Sequence, residues 1–134
     1  MKTIANIIRE GLNSRYPMGE ATALTRIIAT EILGISQTAY LLKDDVTLNA
    51  EQETLLYNAI ERLKKQEPIQ YILGYSHFCG LKFKVTPATL IPRPETSELV
   101  EWIAADYSSK TASLLDIGTG SGGIAVSLAH ELPT

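Results

Sequence analysis

A chain of 134 residues that is 45% hydrophobic, 20% charged and 7% aromatic has a globular composition, which excludes a disordered chain, a collagen-like repeat and a disulfide scaffold. Twelve basic and fifteen acidic residues leave a net charge of -3; residues 1 to 70 carry 8 basic against 9 acidic and residues 71 to 134 carry 4 against 6, so neither half has a basic footprint for direct nucleic-acid binding. The apolar runs are short, and Arg9 with Glu10 interrupts the N-terminal one. The chain is therefore expected to have no signal peptide and no membrane span, and to be cytoplasmic. Its one cysteine, Cys79, has no partner for an internal disulfide and no metal-ligand spacing around it, so no metal site is expected.

In chain order, Ile4, Ile7, Ile8 and Leu12, and then Leu24, Ile27, Ile28 and Ile32, recur at helical spacing. They predict two amphipathic helices, the second stopping at Gly34 as a left-handed cap. A short third helix over QTAYLL has Ser36 as its N-cap. In the fourth, Asn49 caps and Gln52 completes a variant capping box ahead of Leu55, Leu56, Ala59, Ile60 and Leu63, with Pro68 as the terminator.

Near residue 70 the period changes. Leu81, Phe83 and Val85 alternate with Lys82 and Lys84, and Cys79-Gly80 turns the chain back on Tyr75 to Phe78, which predicts a β-hairpin. TPATLIPRP is an extended connector, because its prolines exclude a helix interior and a central strand. Pro94 suits the first turn of a helix in which Leu99, Val100, Ile103 and Tyr107 share a face and Glu95 and Glu98 lie near its positive end, and Trp102 is read as a helix-face packing residue rather than a stacking platform. Last, ASLLDI reads as a strand, GTGSGG as a glycine turn and IAVSLAHEL as an apolar helix, the opening of an α/β nucleotide-type fold.

The turn satisfies two patterns. Gly118, Gly120 and Gly123 fit the dinucleotide G-x-G-x-x-G, and Gly118, Gly120 and Gly122 fit the G-x-G-x-G of enzymes that use S-adenosylmethionine; spacing alone does not choose. Asp116 tips the balance. A carboxylate beside a pyrophosphate costs roughly 1 to 4 kcal/mol at about 4 Å, whereas S-adenosylmethionine has no phosphate and carries a sulfonium and an ammonium. Its carboxylate suits backbone N–H groups at a helix start. Two plainer readings stand beside this one: a purely structural β-to-α turn, and an Asp116 that hydrogen-bonds the following loop. His77 is read as a surface residue, and His130, Lys64 and Lys65 as favourable charges at helix C-termini.

The run GYSHFCGLKFKVTPATLIPRPETSELVEWI, followed by LLDIGTGSGGIAVSLA, closely resembles the HemK/PrmC family, the glutamine methyltransferases of peptide-chain release factors. LIPRPET is the more specific of the two signals, since many methyltransferases share the glycine turn. The resemblance implies transfer of a methyl group from S-adenosylmethionine to the side-chain amide of the glutamine in the Gly-Gly-Gln motif of class I release factors. It implies an α/β chain: a helical release-factor-binding domain over residues 1–72, a β-hairpin and extended linker over 73–92, and over 93–134 the start of a Rossmann-like domain, and a monomer is expected. By position, Gly118, Thr119, Gly120, Ser121 and Gly122 would form the cofactor turn with Asp116 at the strand tip, and Arg93, Pro94, Glu95 and Thr96 a wall of the active site.

The chain departs from the family at Ser97, where a second acid is common, so no charge-based role is assigned there. The family's Asn-Pro-Pro-Tyr does not occur in these residues. No catalytic residue is therefore assigned within this chain. An amide nitrogen is a poor nucleophile that must be positioned by hydrogen-bond acceptors, so the 134 residues alone are expected to be inactive and to be part of a longer protein. The alternatives are another S-adenosylmethionine enzyme such as an N6-adenine nucleic-acid methyltransferase, disfavoured by the low basic charge, a noncatalytic helical interaction module, disfavoured by the glycine turn, and, more distantly, a dinucleotide oxidoreductase.

Overall fold

The computed structural model describes residues 4–42 and 46–132. They divide into two compact units, one up to Leu73 and one from Gly74 on. The described residues are mostly helical, with one two-stranded antiparallel sheet, and none of their helices is long and apolar enough to cross a membrane.

The first unit has five helices among its described residues: α1 (Ile4–Leu12), α2 (Met18–Ile27), α3 (Gln37–Leu42), α4 (Ala50–Lys64) and α5 (Ile69–Leu73). Its core joins Ile8 and Leu12 of α1, Leu24 of α2, and Leu56, Ile60 and Leu63 of α4. That is the apolar stripe expected from 3.6-residue spacing, with the difference that Leu55 is exposed. At Gly11 a Cβ would come within 3.1 Å of Ile60 Cγ2, so the missing side chain sets how closely α1 lies on α4.

Two helix ends differ from expectation. The second helix does not run to Gly34 as a regular α-helix. It widens into a π-helical stretch, Ile28–Ile32, in which the Leu33 N–H reaches the Ile28 carbonyl at 3.0 Å. One extra residue in the turn lets Ile28 and Leu33 both enter the core, and Gly34 then takes φ +69°. The fourth helix ends at Lys64, ahead of Pro68, and Gln66 just beyond its end takes φ +61°. The N–H groups of Gln66 and Glu67 return to the carbonyls of Leu63 and Arg62 at 2.7 and 3.2 Å, a Schellman closure made without glycine. Pro68 instead opens α5, accepting from Tyr71 and Ile72, and this short helix has no periodic signal of its own.

The predicted caps are present. The Ala39 N–H donates to Ser36 Oγ at 3.1 Å. Asn49 and Gln52 exchange both bonds of the capping box, at 2.8 and 3.1 Å, and Gln52 Nε2 also donates to the Leu33 carbonyl at 2.7 Å. The cap thus ties α4 to the end of the π-helical stretch. Tyr16 donates its hydroxyl to the Leu63 carbonyl at 2.7 Å; burial, and then the nearby Glu20 charge, raise its pKa. Arg62 forks onto Glu67 at 2.7 and 2.6 Å and reaches the Tyr71 carbonyl at 3.3 Å, clamping the turn between α4 and α5.

The second unit contains β1 (Tyr75–Phe78), β2 (Leu81–Lys84), α6 (Thr96–Tyr107) and α7 (Gly123–Glu131). The hairpin forms as predicted, with Tyr75 opposite Lys84 and Phe78 opposite Leu81. Its turn residues Cys79 and Gly80 have φ of +46° and +74°, the mirror-image turn that matches strand twist. One face buries Ser76, Phe78 and Phe83; on the other, Lys82 Nζ stands 3.5 Å over the Tyr75 ring and His77 is exposed. Phe78 and Phe83 meet edge to face at 6.3 Å between centroids and cluster with Val100 of α6 and Leu128 of α7.

Three expectations fail in this unit. Residues 112–117 form no strand: a strand needs a hydrogen-bonded neighbour, and the sheet present among the described residues is the hairpin alone. Leu115 and Ile117 are accordingly 83% and 88% exposed. The buried face of α6 is Val100, with Ile103 and Ala104 partly buried, while Leu99 and Tyr107 turn outward. Trp102, expected to pack on that helix, is 68% exposed.

Replacing Asn49 by Ala is expected to cost about 1 kcal/mol, read as a lower denaturation midpoint. Acid titration tests Glu67. Its carboxylate pKa is lowered chiefly by the hydrogen bond from Arg62, so its stabilisation is present above the unfolded value of roughly 4.3 and is lost as pH falls through the lower folded value. Both side chains are partly exposed, which limits the pair to about 1 kcal/mol or less. A Glu67→Gln variant should show a shallower loss of stability below about pH 4 than the unaltered chain, and parallel acid limbs would contradict the assignment.

Candidate functional site

The glycine cluster leads directly into α7. Gly118, Gly120 and Gly122 have φ of +75°, +59° and +81°, conformations that L side chains rarely adopt. Each alternate residue therefore reverses the chain locally, and the Gly122 N–H closes the turn on the Thr119 carbonyl at 2.9 Å. Gly122 is the N-cap of α7, and no side chain caps it. The first N–H groups of a helix have no intrahelical partner, so they are donors at the mouth of this loop.

A Cβ on Gly118 would meet nothing within 4 Å, and one on Gly120 only the Gly118 carbonyl at 4.0 Å. These glycines serve the backbone path and leave an open surface beside it. Gly123 differs. Its backbone is not left-handed, and a Cβ there would lie 3.2 Å from Phe78 Cδ1 and 3.3 Å from Ser121 Oγ. Of the two overlapping motifs, the G-x-G-x-G positions make the turn and the sixth residue of the cluster makes a packing contact with the hairpin.

Asp116 is half-buried, and its Oδ2 accepts a hydrogen bond from Thr119 Oγ1 at 3.0 Å. The loop-bonded orientation raised by the sequence is the one observed. An ionised carboxylate has about four acceptor sites, so the bond to Thr119 leaves acceptor capacity toward a cationic group. The arrangement offers N–H donors, an open backbone concavity and one oriented acid within a few residues. That set fits a zwitterionic ligand better than a polyphosphate, on the charge argument above. Among the described residues no cluster of three or more His, Cys, Asp or Glu has the arrangement of a metal site.

Arg93, Pro94, Glu95 and Thr96 occupy the approach to α6. The first three are exposed and Thr96 is half-buried. Pro94 precedes the regular helix, which starts at Thr96; the N–H groups of Thr96 and Ser97 bond back to the carbonyls of Arg93 and Pro94 at 3.0 and 2.9 Å, and Ser97 Oγ donates to the Pro94 carbonyl at 2.6 Å. Ser97, where an acid was absent, thus fastens this turn. Pro94 and Ser97 share a shallow cleft with His77, Phe78, Cys79 and Gly80 of the hairpin. The contact of Phe78 with the glycine loop carried no signal in the sequence, because the two residues are separated by the whole of α6 and its connectors.

Residues 8–74 match the family model described as the PrmC N-terminal domain. The chain is 47% identical over 133 residues to a protein of Bacteroides thetaiotaomicron named release factor glutamine methyltransferase, covering 99% of this chain and 48% of that one. Proteins of the same name from Flavobacterium psychrophilum and Lactococcus lactis are 43% and 50% identical over 128 and 91 residues, covering 92% and 67% of this chain and 45% and 33% of theirs. The chain spans about half the length, or less, of these curated relatives.

Two glycine replacements separate backbone from packing effects. Gly19 lies in the first turn of α2 with open space where its Cβ would be, so Gly19→Ala should stabilise the protein by up to about 1 kcal/mol. Gly122→Ala, at φ +81°, should destabilise by about 1 to 2 kcal/mol, although its nearest neighbour, Val126 Cγ2, would be at an ordinary 3.6 Å. Chemical denaturation of both variants checks the opposite signs.

Proposed function

From the premise that this chain belongs to the PrmC N-terminal domain family, we propose that it is part of an enzyme that methylates the glutamine amide of the Gly-Gly-Gln motif in class I peptide-chain release factors. S-adenosylmethionine, when bound, supplies an electrophilic methyl group on its sulfonium. The observation that carries the reading is the run of alternate left-handed glycines at the N-cap of α7, beside an acid already oriented by Thr119.

In this reading Gly118, Thr119, Gly120, Ser121 and Gly122 hold the cofactor. The unpaired N–H groups at the start of α7 meet its carboxylate, and Asp116 offers its remaining lone pairs to a cationic group. Arg93, Pro94, Glu95 and Thr96 border the substrate side. Residues 1–72 bind the release factor, residues 73–92 link, and residues 93–134 begin a Rossmann-like domain. The protein acts as a cytoplasmic monomer without direct nucleic-acid contact. Asn-Pro-Pro-Tyr is absent from these residues, so the acceptors that orient the amide lie elsewhere in the enzyme, and the chain by itself does not catalyse.

Incubating the full-length protein with labelled S-adenosylmethionine and a release factor tests the reading. Label should enter the factor with its motif glutamine intact and not the variant in which that glutamine is replaced. Equal labelling of the two would overturn the proposed target, and measurable methylation by the 134 residues alone would overturn the claim that they are inactive.

A further inference from the structure

We infer that Phe78, at the tip of the hairpin, is a positioning residue for the cofactor loop, acting through Gly123 on the backbone of Ser121 and Gly122. The inference rests on the reading of that loop as the S-adenosylmethionine site. Its ground is a close approach: a Cβ on Gly123 would lie 3.2 and 3.5 Å from Phe78 Cδ1 and Cε1, and 3.3 Å from Ser121 Oγ. The ring therefore lies almost on the backbone of the first residue of α7, with Ser121 folded against the same point.

The ring itself is held. Phe78 is 5% exposed, stands edge to face with Phe83 and packs in one cluster with Val100 of α6 and Leu128 of α7. The strand that carries it is registered by pairing with Leu81 across a two-residue turn. The loop has the opposite character. Its three left-handed glycines have few neighbours where side chains would stand, and the α7 N-cap has no side-chain bond. A loop with little packing of its own takes its position from whatever abuts its end, and here that is the hairpin ring. Dinucleotide-binding turns use a third glycine for close packing of the helix on its own sheet; in this unit the equivalent absence of a side chain admits a ring from a hairpin some forty residues earlier.

The test is a double-mutant cycle in the full-length protein, with the dissociation constant for S-adenosylhomocysteine measured by calorimetry. Gly123→Ala should weaken binding on the order of tenfold, since overpacking forces the ring or Ser121 to shift. Phe78→Val, which removes the two contacting ring atoms, should weaken it severalfold by leaving the loop unsupported. Combining them should recover most of the loss caused by Gly123→Ala, because the new methyl then enters the vacated space. Asn49→Ala, which destabilises the helical unit, should leave the constant unchanged.

Simple additivity of the two substitutions, wild-type affinity in Gly123→Ala, or equal weakening by Asn49→Ala would each overturn the inference. Wild-type protein that binds no S-adenosylhomocysteine would overturn the reading of the site instead. The positioning claim then stands or falls on amide exchange at Ser121 to Ile124, which Gly123→Ala should accelerate and the added Phe78→Val should slow again.

Discussion

The second unit is organised around the meeting of Phe78 with the backbone of Gly123. The hairpin is too small to be stable by itself, since two strands in water are marginal. It gains a core by placing Phe78 and Phe83 against Val100 and Leu128. In return it gives α6 and α7 a shared apolar surface that neither helix carries alone, and it sets the start of α7. The glycine loop hangs from that start. Its left-handed turns are intrinsic to its residues, but its place relative to Asp116 and α6 depends on the contact with the hairpin.

The helical unit is built on a different economy of bonds, in which polar side chains close the helix ends and also join one helix to another. Gln52 completes the cap of α4 and bonds the Leu33 carbonyl, and Arg62 holds Glu67 while reaching the carbonyl of Tyr71. These bonds add polar ties between helices whose apolar side chains already meet in one core. The same region matches the PrmC N-terminal domain over residues 8–74. A helical bundle stabilised at its joints in this way keeps its outer faces available, and the exposed Leu41, Leu42 and Tyr57 show that those faces are not uniformly polar.

The exposed apolar side chains of Leu115 and Ile117 have a common cause. They belong to a segment whose sequence is that of a buried element. Residues 112–117 have the composition of a central strand in a parallel sheet, which needs cover on both faces and partners on both edges. The described residues supply neither. Composition there reports the surroundings for which a segment is suited, and the conformation reports the neighbours it has.

The sequence by itself determined the features that depend on residues within about four positions of one another: the caps at Ser36 and Asn49, the helical stripes of the first unit, the two-residue hairpin turn and the left-handed path through Gly118, Gly120 and Gly122. Local sterics and short-range hydrogen bonds are enough to specify these. It misplaced the end of α4, because the Schellman closure at Gln66 uses a residue without a glycine's signature, and it gave no sign of α5 or of the π-helical widening, which answer to core packing. Only the tertiary structure decided that Trp102 faces outward and that Gly123 receives a phenylalanine ring. Each of these outcomes turns on which groups from distant parts of the chain are present to fill space, and no local pattern carries that information.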